Sequence, residues 1–440
     1  MNYEEAIAFL NSRIKFGIRP GTERVAALVE ALAHPQHSYP VLHISGTNGK
    51  FSVATISTSI LGSLGMSVGT YTSPDLGVVR ERIALGGQTI GEELFASVLT
   101  YLLPYIELVE AARDDQDRLT YFELLTAMAF EAFFDQAVHT AVIETGLGGE
   151  YDATNVADAR VAVVTNVSLD HIRQFGGDLH KAAWEKAGIA KKDTVVISGI
   201  DQEDLYDLIA RRAVEKGASQ VVRLGREIDV LDRQVAVGGQ LISVRGLYGD
   251  YDEVFLNMFG KQQARNAALA IAACEAFIGE RLSEEALTEA LGSVRAPGRI
   301  EVLGHNPLIV CDGGHNPAAA EVVKESVREA FAYKKLILVI GMLSEKLIDE
   351  VLELWAPVVD SWILTAPEST RAAEPERLES SLRDLRVGDE KVVVVPGVGA
   401  ALEHAIQNAT DEDLVLVFGS FYTVGEARAW LQSQGVLAQA

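Results

Sequence analysis

The sequence predicts an α/β protein built on mostly parallel sheets and divided into two domains. Three observations carry that reading. Short apolar, β-branched runs recur along the chain, each flanked by turn residues and alternating with Ala/Leu-rich stretches of helical length. At 440 residues the chain exceeds what one hydrophobic core ordinarily serves. In SVRAPGRIEV, Pro297 and Gly298 stop one helix and open a new series of strands.

Taken in order, buried strands are expected at Val41–Ser45, Ser67–Tyr71, Thr140–Glu144, Val161–Asn166 and Thr194–Ser198. Helices are expected at Thr22–Ala33, from Ser52 to Leu64, at Gly91–Ala112, Tyr121–Phe134 and Lys261–Phe277. Beyond the break come strands at Leu308–Cys311, Leu336–Ile340, Ser361–Thr365, Lys391–Val395 and Leu414–Phe418. The expected domains are therefore residues 1–296 and 297–440. A cleft between two such domains is a frequent place for a ligand.

Composition narrows the function classes. Hydrophobic content of 48% with 23% charged residues is that of a globular chain, which excludes long disorder. No uninterrupted apolar run approaches the roughly 20 residues that span a bilayer. The opening MNYEEAIAFLNSRIKFGIRP has early acids and no apolar stretch of signal-peptide type. Two cysteines, Cys274 and Cys311, make no disulfide framework, so a cytoplasmic protein is expected. The net charge of −24, with no basic patch, disfavours nucleic acid as a partner. No feature demands a membrane or a second subunit, and a monomer is expected. An anionic substrate would need local compensation from Lys, Arg, backbone N–H groups or a metal.

Four motifs carry chemistry. In VLHISGTNGKFSVATISTSI a strand ends at Ser45, a glycine turn follows and a helix begins. Gly46, Thr47, Asn48, Gly49 and Lys50 thus sit where N–H groups converge, suiting phosphate. The spacing departs from the common phosphate loop, with Ile44 six residues before Lys50 and Phe51 directly after it. In VIETGLGGEYDATN, Glu144 ends a strand, where a carboxylate can hold Mg²⁺ or merely cap a turn. Asp170 and His171 follow another strand end, and Lys186 closes a helix as WEKAG. In IVCDGGHNPAA, Asp312 and His315 stand on a glycine turn that Asp and Asn side chains could equally hold together.

In order along the whole chain, HISGTNGK, TYTSPDL, RERI, LTYFELLTAMAF, IETGLGGEYDATN, LDH, EKAGI, APGRIEV, DGGHNP, GML-x-x-K, TAPESTRAAEP and GSFYTVGEA resemble the folylpolyglutamate synthase/dihydrofolate synthase family of the Mur ligase superfamily. The resemblance implies a P-loop-type, Mur ligase-like N-terminal domain and a smaller Rossmann-like domain. It implies an ATP-dependent amide ligase that activates a carboxylate as an acyl phosphate and couples it to L-glutamate, the acceptor being dihydropteroate or a reduced folate.

By the same resemblance, Gly46 to Lys50 and Ser52 would hold ATP, with Asn266, Arg299 and Asp312 on the nucleotide and His315 near its phosphates. Ser73, Glu144 and His171 would hold Mg²⁺, and Lys186 would be a carbamylated lysine. Thr120, Phe122, Glu123 and Asp152 would lie near the pterin-bearing substrate, and Lys346 would approach from the second domain. Phe51, Asp75 and Glu150–Tyr151 depart from the family pattern, and two of these changes place acid toward the expected metal region. They motivate two rival readings, a related ligase for another carboxylate and a nucleotide-binding protein without catalysis.

Overall fold

The computed structural model describes residues 1–17, 19–114, 117–168 and 176–437. Strands β1 (Val41–Ser45), β2 (Val68–Tyr71), β3 (Ile83–Leu85), β4 (Gln88–Thr89), β5 (Thr140–Glu144), β6 (Ala159–Val164), β7 (Val195–Ser198) and β8 (Gln220–Arg223) form one sheet in the order β4-β3-β2-β5-β1-β6-β7-β8. The run from β2 to β8 is parallel, and β3 and β4 add an antiparallel edge. Ile44 pairs with Glu144 and Ser45 with Val164, so the C-terminal ends of β5, β1 and β6 lie level. Loops leaving those three ends must gather at one place, the usual ligand edge of a parallel sheet.

Strand alternation sorts the side chains. Leu42 and Ile44 face a core formed with helices Lys50–Ser63 and Lys261–Ile278, whereas Val41, Ala141 and Ile143 face helices Glu92–Ala111 and Tyr121–Asp135. Each large aliphatic side chain so buried contributes about 1.5–3 kcal/mol. The alanines of AALAIAACEA let the helix Lys261–Ile278 lie close along Lys50–Ser63, and ten residues from Ala267 to Ala276 are buried. Helix Glu92–Ala111 is long and apolar enough to cross a membrane by length and composition. Its acidic residues, Glu92, Glu93, Glu107 and Glu110, keep it from being an uninterrupted apolar run. Its Phe95, Leu99, Leu102 and Ile106 are buried in the second of these cores.

A three-stranded antiparallel sheet follows, β9 (Asp229–Ala236), β10 (Gly239–Arg245) and β11 (Asp250–Leu256). The last sheet contains β12 (Glu301–His305), β13 (Leu308–Asp312), β14 (Leu336–Ile340), β15 (Ser361–Leu364), β16 (Val392–Val394) and β17 (Leu414–Phe418), in the order β12-β13-β17-β14-β15-β16. Only β12 in it runs antiparallel, and its helices cover both faces. The architecture is thus parallel-rich α/β in both halves, as the sequence predicts. One boundary moves functionally important residues: the first long helix starts at Lys50, not near Ser52.

Candidate active site

The loop Gly46–Gly49 is held in shape by close approaches. Gly46 has φ +149°, and a Cβ there would stand 1.8 Å from Thr165 Oγ1. Gly49 has φ +82°, and a Cβ would meet Asn266 Oδ1 at 2.7 Å. Neither position admits a side chain. Between them, Asn48 donates its N–H to Asn166 Oδ1 at 3.0 Å, and its carbonyl accepts from Asn166 Nδ2 at 2.9 Å and Thr165 Oγ1 at 2.6 Å. The helix then begins, so its first N–H groups and dipole point at the loop.

Lys50 Nζ folds back over this loop, donating to the carbonyls of Gly46 at 3.1 Å and Thr47 at 3.3 Å. It stands 4.0 Å from Glu144 Oε1. Glu144 is 2% exposed. Burial pushes its carboxyl up to about 7, opposed by Lys50, by the Ser73 N–H that donates to Oε2 at 3.0 Å, and by Arg299 and Arg82. Among the described residues no three of His, Cys, Asp and Glu cluster as a metal centre would. The donor set still fits Mg²⁺, which commonly takes one or two carboxylates and completes its shell with water and substrate phosphates. Of the expected ligands, Glu144 and Ser73 meet at the cleft, and His171 lies outside the described residues.

Two cavities share the loop. The larger, about 490 Å³, is bordered by Thr47 to Lys50, Ser73, Glu144, Thr120, Phe122, Glu123, Asp152, Arg299, His315 and Lys346. Seven cations border it (Arg19, Lys50, Arg82, Lys181, Arg299, Lys346, Arg371) against four acids (Glu123, Glu144, Asp152, Glu185). The smaller, about 200 Å³, is bordered by Asn48, Gly49, Ser52, Asn266, Arg299 and Asp312. Ser52 Oγ and Arg299 Nε are buried with no hydrogen-bond partner. Buried polar atoms of that kind call for a ligand or water. The guanidinium of Arg299 stacks 4.5 Å over Phe421, whose other neighbour is the His315 ring at 6.3 Å.

Several predicted residues have local structural duties. Thr120 and Glu123 cap the helix Tyr121–Asp135 reciprocally, and Glu123 also accepts from Arg24 at 2.9 Å. Asp152 accepts from the N–H groups of Leu147 and Thr154 and, at 2.5 Å, from the Thr154 hydroxyl. That hydroxyl lies 2.8 Å from Nε2 of His43, which is wholly buried and held down to about 3 by burial. Asp312 accepts from Ile300 N–H at 3.0 Å and Gly314 N–H at 2.7 Å, so the turn reading holds beside the pocket it borders. Lys186 is 4% exposed, not a solvated helix-end cation, and does not itself border either cavity, although Lys181 and Glu185 border the larger.

The fold absorbs the departures only in part. The half-buried Phe51 ring packs on the core between Lys50–Ser63 and Lys261–Ile278, but Phe51 and Tyr151 also border the larger cavity. Asp75 is neutralised by Arg82 at 2.6 Å. Glu150 pairs with Lys216 at 2.7 Å and Arg212 at 3.3 Å, so it belongs to the helix Glu203–Glu215 rather than to the expected metal region. Sequence reasoning missed Asn166, Asn316, Arg371 and the Phe421–Tyr422 pair at the cleft. Asn316 carried a readable signal, since Asn before Pro-Ala-Ala marks a helix start.

The family model for the Mur ligase middle domain matches residues 44–274, and that for the Mur ligase glutamate ligase domain matches residues 298–421. A Mycobacterium tuberculosis dihydrofolate synthase/folylpolyglutamate synthase is 35% identical, the match covering 93% of this chain and 90% of the relative. The Escherichia coli protein of the same name is 34% identical over 92% and 89%. Among solved structures, M. tuberculosis folylpolyglutamate synthase complexed with ADP superposes with a TM-score of 0.93 at 35% identity, covering 97% of each chain. E. coli FolC in complex with DHPP and ADP gives 0.86 at 32% identity, covering 99% of each. These matches define a Mur ligase. Within that class, the chain belongs to the folylpolyglutamate synthase/dihydrofolate synthase family. It is an ATP-dependent ligase, which excludes the reading without catalysis.

Proposed function

We propose that this enzyme joins L-glutamate to the carboxyl group of dihydropteroate, of reduced folates, or of both, through an acyl phosphate. The carrying observation is the meeting of Lys50, Glu144 and a seven-cation cleft at the level ends of β5, β1 and β6. The sheet edge and the DHPP and ADP bound in the E. coli structure support the same reading.

In this reading the loop N–H groups and Lys50 hold the β- and γ-phosphates of ATP, with Lys50 exchanging its carbonyl partners for phosphate oxygens. Ser52, Asn266, Arg299 and Asp312 receive the nucleoside end in the smaller cavity. Glu144, Ser73 and His171 would hold Mg²⁺, which when bound supplies positive charge to the phosphoryl oxygens. The acceptor carboxylate attacks the γ-phosphorus and ADP leaves. The glutamate amine then attacks the acyl carbon, phosphate leaves, and the amine proton passes to a base. Thr120, Phe122, Glu123 and Asp152 border the acceptor side. Lys346 and His315 present positive or polar groups from the second domain, where the two glutamate carboxylates need them. Buried Lys186, carbamylated, would become an anion behind the site; mass spectrometry with and without bicarbonate tests that.

We infer also that the division at residues 296/297 separates two domains whose meeting excludes water from the acyl phosphate. The enzyme is read as a cytoplasmic monomer; sedimentation at assay concentration tests the monomer. The function is tested by phosphate release with MgATP and L-glutamate, comparing dihydropteroate, tetrahydrofolate and no acceptor. Release that requires either acceptor, and that disappears in a folded Lys50→Ala variant, is expected. Silence with both acceptors from protein that binds ATP would refute it.

A further inference from the structure

We propose that Asn316 is a positioning residue: its side-chain amide latches the phosphate loop to the second domain, so the loop is held for phosphoryl transfer only when the two domains are together. The inference rests on the ligase reading above and adds to it a residue with no assigned role.

The geometry divides the work on Asn48 between the two halves of the chain. Its backbone is fixed from the first sheet by Thr165 and Asn166. Its side chain meets Ser168 Oγ of the same half at 3.4 Å and is otherwise held from the other half. Asn316 Nδ2 donates to Asn48 Oδ1 at 3.1 Å, and Asn48 Nδ2 donates to Asn316 Oδ1 at 3.4 Å. The two residues are 268 apart in sequence, and Asn316 is 2% exposed. A reciprocal amide pair between buried Asn316 and half-buried Asn48 orients both side-chain planes, because turning either one sets oxygen against oxygen or N–H against N–H.

Asn316 has a second duty that explains its identity only in part. It caps the helix Pro317–Ala330, its Oδ1 accepting from Ala319 N–H at 2.9 Å. Ser, Thr or Asp would cap as well. The Nδ2 donor is the part a cap does not need, and it is the part aimed at Asn48. Asn48 borders both cavities, so the latch stands between the nucleoside end and the reacting end. The residue just before it, His315, borders the larger cavity, so seating the latch and presenting His315 are one movement of one turn.

The test is a double-mutant cycle on full-length enzyme with wild type, Asn316→Ser, Asn48→Ala and the double variant. Serine keeps the cap but is too short to reach Asn48. Each single change should lower kcat about tenfold, the weight of losing a part-buried pair of amide bonds, with KM for ATP moving less than about threefold. The double variant should be no slower than the worse single by more than about twofold. Losses that multiply, to about a hundredfold, would overturn the latch, as would wild-type kcat in Asn316→Ser. A second readout needs no turnover: in ADP-bound protein, amide hydrogen exchange across residues 46–50 should quicken in Asn316→Ser and in Asn48→Ala. Unchanged exchange in both would overturn the latch. If wild type is silent with every acceptor, the ligase reading fails while the exchange measurement still decides the latch.

Discussion

Glu144→Gln should stabilise this enzyme in the absence of divalent ions while destroying its turnover. The carboxyl is fully enclosed, and burial moves it from an ordinary 4.5 to about 7. Unfolded, it releases its proton near 4.5; folded, it keeps the proton to about 7. Because the folded-state pKa is the higher one, this group's contribution is fully present below 4.5 and is lost as pH rises through 7. At about 1.4 kcal/mol per pKa unit, the interval amounts to about 3 kcal/mol by pH 8.5. Glutamine has the same shape, still accepts from Ser73 N–H and never ionises, so it escapes the penalty. Urea melts of both proteins in EDTA, at pH 5 and pH 8.5, read this directly. The variant should be more stable by about 3 kcal/mol at pH 8.5, and by about 1 kcal/mol at pH 5. A gap that stays the same at both pH values, or a wild type at least as stable as the variant at pH 8.5, would refute the reasoning.

Two further changes follow from the same site. Phe51→Ala should lower stability by about 2 kcal/mol and leave KM for ATP within about twofold, because the half-buried ring packs on the core; tighter ATP binding would show instead that the ring crowds the phosphates. Thr154→Val keeps the shape but removes the hydroxyl between neutral His43 and Asp152, so KM for the acceptor should rise about tenfold with KM for ATP unchanged. Equal changes in both KM values would mean that Asp152 does not stand on the acceptor side.

Much of this was legible in the sequence because the relevant signals are local. Strands such as Val41–Ser45 and Thr140–Glu144 are read to the residue, since a fully buried parallel strand is a short apolar run between turns. The sheet Asp229–Leu256 was not read. Its strand Asp229–Ala236 is largely solvent-facing and its apolar residues are scattered among Asp, Arg and Gln, so the buried-strand signal is missing. The phosphate loop was legible from its glycines, but what holds it was not. Thr165 and Asn166, Asn266, and Asn316 come from three separate segments, and only the level strand ends and the packed helices bring them to Asn48 and Gly49. The burial of Lys186 was hidden for a similar reason, because nothing local to a helix's last turn shows that tertiary packing covers its cation. Glu150 was misjudged because its partners, Arg212 and Lys216, lie some sixty residues downstream.

The seven cations around the larger cavity sit inside a molecule of net charge −24. ATP, the acceptor and glutamate are all anions, so each must cross a repulsive field before it meets an attractive one. Salt therefore acts with opposite signs on the two stages. Screening over about 8 Å at physiological ionic strength weakens the outer repulsion and quickens encounter, whereas the more enclosed of the cations, such as Lys50 and Arg82, are screened far less and continue to slow departure. An enzyme of this charge pattern gains binding speed with added salt over a range in which a basic nucleotide-binding protein loses it, and the acidic exterior acts as a filter on the rate of entry rather than a barrier to binding.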